Sequence, residues 1–167
     1  MKKSIALSLL IFFSFTNTSF ALDCGNVKSK KPMNIEEIYK AMCFEKMDTA
    51  IKKFEEKTKS NLSLPEKIPF KAKYRFGKFD EKLDLLKLVF IKDHKNIFKI
   101  QLNTEPFNEP YNYTLKNGKK AFIIDSPEKK SMISLTFKRD KYQYILYGFK
   151  SNYIKIETLI EFAESIQ

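Results

Sequence analysis

Large apolar residues recur at every second position through residues 70–149, and that alternation predicts a sheet. Phe70, Ala72, Tyr74 and Phe76 fall on one side of an extended chain while Lys71, Lys73 and Arg75 fall on the other. Phe98, Ile100 and Leu102 repeat the pattern against Lys99, Gln101 and Asn103, and Ile133, Leu135 and Phe137 repeat it against Ser134, Thr136 and Lys138. One wet face is the usual mark of antiparallel pairing. Two segments are apolar on both sides. In residues 83–91, Leu85, Val89 and Ile91 oppose Leu86, Leu88 and Phe90; in residues 142–149, Tyr142, Tyr144 and Leu146 oppose Ile145, Tyr147 and Phe149. The first of these should be central in the sheet and covered on both faces. Asn117-Gly118 predicts a two-residue hairpin turn, residues 93–96 a turn around the lone His94, and residues 139–141 another turn. Residues 104–112, with Pro106, Phe107, Pro110 and Tyr111, read as an aromatic loop.

At both ends the period changes to that of a helix. Asn34 followed by Glu37 is a capping box, and Ile38, Met42, Met47, Ile51 and Phe54 then return as one apolar stripe. Glu36 with Lys40, Asp48 with Lys52, and Glu55 with Lys59 stand at the spacing that supports a wet face. Mixed signs there point to a helix that packs on the sheet instead of lying on a membrane surface. Near the end, Ile156, Leu159, Ile160, Ala163 and Ile166 share a face. The expected fold is α+β, a twisted antiparallel sheet of about seven strands with an N-terminal and a C-terminal helix, forming one domain over residues 34–167.

Residues 1–21 read as a signal peptide: Lys2 and Lys3, a short apolar run from Ile5 to Phe15, and Ser19-Phe20-Ala21 as the cleavage site. The run is too short to span a bilayer, which needs about 20 apolar residues. A lipid anchor on Cys24 is disfavoured because Asp23 precedes it. The expected location is therefore secreted or periplasmic, with no transmembrane segment after processing. In that oxidising setting Cys24 and Cys43 are expected to form a disulfide tethering residues 22–33 to the first helix, and a loop of about 20 residues is worth about 3 kcal/mol. Two cysteines and a distant histidine do not make a metal site, since structural zinc takes four close ligands.

Several stretches together resemble a known family. These are the Asn-Gly hairpin with Lys119-Lys120-Ala121-Phe122, the strand Ile133-Ser134-Leu135-Thr136-Phe137, the aromatic run of residues 142–148, and the final Leu159-Ile160-Glu161-Phe162-Ala163-Glu164-Ser165-Ile166. With the entry segment of residues 48–70, including Leu64-Pro65 and Pro69-Phe70, they are similar to the bacterial domain of unknown function 4367. The family strand often carries Trp where Phe137 stands, and the chain contains no Trp. The resemblance implies a fold and an exported or membrane-tethered setting, in some members beside chains similar to lipoprotein carriers. It implies no catalytic residue.

Charge narrows the function classes. The formal net charge of +11 falls to +9 once Lys2 and Lys3 are removed with the leader. Of 31 basic residues only Arg75 and Arg139 are arginines. Lysine is a hydrated point charge that lacks the planar fork used to read base edges and clamp phosphate, so nucleic acid is not the expected partner. Anionic lipid headgroups or wall polymers fit better. His94 stands among Lys92, Asp93 and Lys95 with no orienting group, and the four glycines form no phosphate cradle. The expectation is a non-catalytic envelope binding domain without cofactor or metal. Its candidate apolar groove, between sheet and helices, is lined by Tyr144, Tyr147 and Phe149 and takes a lipid-like or anionic ligand unless the helices fill it. The alternative is a structural or interaction module binding another envelope protein.

Overall fold

The computed structural model describes residues 32–104, 110–128 and 131–166. The expected leader, Cys24 with the tether up to residue 31, and Pro106 and Phe107 of the aromatic loop lie outside the described residues. The chain runs α1 (Ile35–Ala41), β1 (Glu45–Lys46), α2 (Met47–Thr58), β2 (Tyr74–Asp80), β3 (Leu85–Asp93), β4 (Asn96–Asn103), β5 (Tyr113–Thr114), β6 (Lys120–Asp125), β7 (Met132–Arg139), β8 (Tyr142–Phe149) and α3 (Ile156–Ser165). Among the described residues these strands form one sheet in the order β1-β2-β3-β4-β8-β7-β6-β5, antiparallel throughout. The fold is α+β, with eight strands where the alternation predicts about seven; the two-residue β1 is too short to leave a periodic signal.

Strand register sorts the side chains into two faces. Gly77, Leu88, Ile100, Leu146, Leu135 and Ile123 form one cross-strand row, flanked by the rows through Phe90 and Phe98 and through Leu86, Leu102, Tyr144 and Phe137. This first face is the core. Helix α2 lies on it through Met47, Ala50 and Phe54, and α3 through Leu159, Phe162 and Ala163, all buried. Each fully buried large apolar side chain there contributes about 1.5–3 kcal/mol. Gly77 sets how near α2 comes: a Cβ at that position would stand 2.6 Å from the Ala50 Cβ and 3.1 Å from the Met47 Cα. The helices thus fill this face with their own apolar stripes. Strand β3 is covered on both sides as its sequence predicts, with Leu86, Leu88 and Phe90 toward the helices and Val89 and Ile91 buried on the other face.

The single N-terminal helix expected from the apolar stripe is instead two. Cys43 adopts φ 59, in the left-handed region, and ends α1, after which Glu45–Lys46 pairs along Gly77 and Phe76. The Asn34 capping box forms as expected: the Asn34 Oδ1 accepts from the Glu37 N–H at 3.0 Å, and Glu37 returns the bond at 2.8 Å. Helix α1 then crosses to the second face, where Tyr39 stacks on Phe76 with ring centroids 4.6 Å apart and planes within 5°. Phe76 adjoins Gly77 in sequence, so the two point to opposite sides. The chain therefore wraps the β2 edge, α1 on one face and α2 on the other. Ile38 and Met42 are exposed while Met47 and Phe54 are buried, so the apparent stripe joined residues that serve different surfaces. On α2 the charges pair differently from expectation. Lys52 meets Glu56, Lys53 meets Glu45 at 2.8 Å, and Glu55 accepts the Leu62 N–H at 2.7 Å to close the helix exit.

The Asn-Gly hairpin also differs. Gly118 alone has positive φ, at 80°, and its N–H bonds Leu115 while the Leu115 N–H bonds Lys119, both at 2.9 Å. This is a three-residue loop with a left-handed glycine in its last position, not a two-residue turn.

Candidate functional site

The second face carries a different chemistry on the same strands. Phe76, Val89, Lys99, Tyr147, Ser134 and Ile124 form one cross-strand row; Lys78, Lys87, Gln101, Ile145, Thr136 and Phe122 form the next. Lys78 and Lys87 are direct cross-strand partners, and Lys99 lies one strand and one row away. Like charges directly opposite each other destabilise a sheet. Among the described residues no carboxylate pairs with any of the three. Their surroundings are aromatic. Tyr39, Phe44, Val89 and Tyr147 share a cleft of about 240 Å³ with these lysines. The Lys99 ammonium stands 5.6 Å from the Tyr147 ring centroid, and the Lys78 Nζ donates to the Met42 carbonyl at the end of α1 at 3.1 Å. A cation there also suits the negative end of the helix. Burial raises the Tyr39 and Tyr147 phenols above the ordinary range, and Tyr147 is raised further by the nearness of Tyr39.

From Tyr147 the face turns apolar and open. Phe149 and Met132 are cross-strand partners, Ile124 lies beyond Ser134, and each of the three exposes half or more of its surface. The half-buried Ile145 and the buried Ser134 and Thr136 floor the same region. Cationic and apolar surface are thus contiguous across β3, β4, β8 and β7.

The residues expected to line one groove are divided. Tyr147 and Phe149 lie on this second face, away from α2 and α3. Tyr144 is an odd number of positions from both and points into the core, where it stacks on Phe137 at 5.2 Å and donates to the Ser63 carbonyl at 3.0 Å. Burial pushes its phenol up to about 12. A groove containing all three is therefore excluded by the strand's own period. Cys43 sits at the α1–β1 bend, and no cysteine is free among the described residues; its expected partner Cys24 lies outside them. His94 is exposed in the β3–β4 turn. There the Asp93 carboxylate accepts from the Asn96 side chain and from the backbone N–H groups of Lys95 and Asn96, which holds it below the usual carboxylate range. His94 is not brought to the lysine cluster.

The lysine cluster itself was missed by alternation. Lys78, Lys87 and Lys99 each read singly as a wet-face residue, and only the register shows that they converge. No helix among the described residues is long and apolar enough to cross a membrane. Compared with known proteins, the chain matches no family's sequence model, no curated protein and no solved structure.

Proposed function

We propose that this protein is an exported, non-catalytic binding domain of the cell envelope whose second sheet face holds an amphiphile with an anionic head. The head sits against Lys78, Lys87 and Lys99, and the apolar part runs over Tyr147 toward Phe149, Met132 and Ile124. The observation that carries this reading is the direct opposition of Lys78 and Lys87 beside an open apolar surface. An acidic head relieves the repulsion, and the adjoining exposed residues Ile124, Met132 and Phe149 share one face of neighbouring strands instead of lying scattered. The leader at residues 1–21, a Cys24–Cys43 bridge holding the start of the mature chain near the α1 bend, and the resemblance to the domain of unknown function 4367 belong to the same proposal.

Displacement of a fluorescent fatty-acid analogue tests it, with dodecyl phosphate and dodecyltrimethylammonium as competitors of matched chain length. The phosphate should compete at least tenfold better, and Lys87→Gln with Lys99→Gln should remove that preference. Equal competition by both amphiphiles, or no displacement by either, overturns the reading. A second reading, docking of another envelope protein, rests on the exposed Ile124, Met132 and Phe149. It predicts that Met132→Ser abolishes partner capture while Lys87→Gln leaves capture intact.

A further inference from the structure

A separate cleft of about 620 Å³ opens at the end of the sheet, between the β3–β4 turn and the segment that follows β8. We propose that it is a binding site for an acidic saccharide, a sugar bearing a carboxylate. Its volume lies in the range of small-ligand sites. Two aromatic rings form its apolar surface: Phe149, 57% exposed, and Tyr153, 40% exposed. Tyr153 is held as a fixed platform. Phe70 meets its ring edge-on at 6.1 Å, and the Lys92 ammonium stands 3.6 Å from its centroid and bonds its hydroxyl. The loop beneath is also set in advance, because the Ser151 Oγ accepts from the Tyr153 N–H at 3.2 Å and the Ile154 N–H at 3.1 Å.

The polar wall supplies short hydrogen-bonding groups and positive charge. His94 and Lys95 come from the turn, and Ser151 and Asn152 from the loop. Among the described residues no carboxylate lines the cleft. The oxygens of the Asp93 carboxylate are held inside the turn by the backbone N–H groups of Lys95 and Asn96 and by the Asn96 side-chain amide, and the Lys150 ammonium pairs with Asp125 at 2.5 Å. Lys95 is therefore the cation offered to a ligand. Flat rings flanked by an amide, an imidazole and a hydroxyl match a ring with one apolar C–H face and a rim of hydroxyls. Lys95, which pairs with no carboxylate among the described residues, adds the preference for a carboxylate. An extended lipid chain would satisfy few of these polar groups, whereas a sugar satisfies them around its edge.

The proposal stands apart from the amphiphile reading, although Phe149 borders both surfaces. Titration of the full mature protein with tetragalacturonic acid and with neutral maltotetraose, followed by backbone amide NMR and calorimetry, tests it. Tetragalacturonic acid should shift the amides of residues 94–96 and 149–153 and bind at least fivefold tighter than maltotetraose. Lys95→Gln should bring the two to equality, and Tyr153→Ala should weaken both about tenfold. Asn152→Ala, at an exposed loop position, checks the site without touching the Phe70 packing and should weaken both about threefold. Lys87→Gln should change neither. Absence of shifts at these residues, equal binding of the two saccharides to the unmodified protein, or indifference to Lys95→Gln and Asn152→Ala each overturns the proposal.

Discussion

The two faces of this sheet are built from the same strands and differ in what the alternate positions carry. The first face is apolar through its middle rows from β2 to β6, where α2 and α3 seal it, and carries Arg75, Asp125 and Arg139 only at its margins. The second places Lys78, Lys87 and Lys99 among Tyr39, Phe76 and Tyr147, and ends in exposed Phe149, Met132 and Ile124. One face is arranged for stability, since the apolar side chains that fill its middle gain by leaving water. The other sets like charges opposite each other and leaves apolar surface wet, an arrangement that costs stability unless something binds there. Function is therefore sought on the face that folding alone does not explain.

This contrast can be broken by substitutions whose effects differ in size and sign. Leu146→Ala, in the middle of the first face, should cost about 2–5 kcal/mol in urea unfolding because it leaves a cavity between sheet and helices. Gly77→Ala follows at about 1–3 kcal/mol, since the added methyl meets Ala50 at 2.6 Å and α2 must move. Tyr144→Phe should cost about 0.5–1.5 kcal/mol at neutral pH through the lost bond to Ser63.

The same substitution has a pH signature. The folded Tyr144 phenol, held up at about 12, stays neutral where the unfolded one, near 10, already ionises. Its contribution is whole below pH 10 and is lost as pH rises toward 12, so the alkaline fall in stability should be shallower in Tyr144→Phe. On the second face, by contrast, Lys87→Gln should stabilise the protein by about 0.2–1 kcal/mol, because it removes the charge opposite Lys78. A loss in that variant would show that the lysines already have a stabilising role in the unliganded fold. Met132→Ser should shift stability by no more than about 0.5 kcal/mol, and a larger loss would mean that the apolar patch is packed.

Much of the architecture follows from local periodicity. The α+β class, the doubly covered strand containing Val89, the Asn34 capping box and the apolar stripe of α3 are each written in a few neighbouring residues, because side-chain direction in a strand or helix repeats with a fixed period. The same rule separates Tyr144 from Tyr147, so the division of the expected groove was implicit in the chain. Phe162 lies beside Ala163 on the buried side of α3, outside the line of Ile156, Leu159, Ile160, Ala163 and Ile166, for the buried arc of a helix is wider than one line of positions.

What the chain alone could not decide concerns contacts between residues remote in sequence. The break between α1 and α2 depends on Cys43 taking a left-handed conformation so that β1 can pair with β2, and no local pattern announces it. The convergence of Lys78, Lys87 and Lys99 depends on register across three strands, where a slip of one residue would send each to the opposite face. Periodicity says which way a side chain points; only the pairing of strands says what it meets, and on this sheet that meeting places three positive charges beside an open apolar surface.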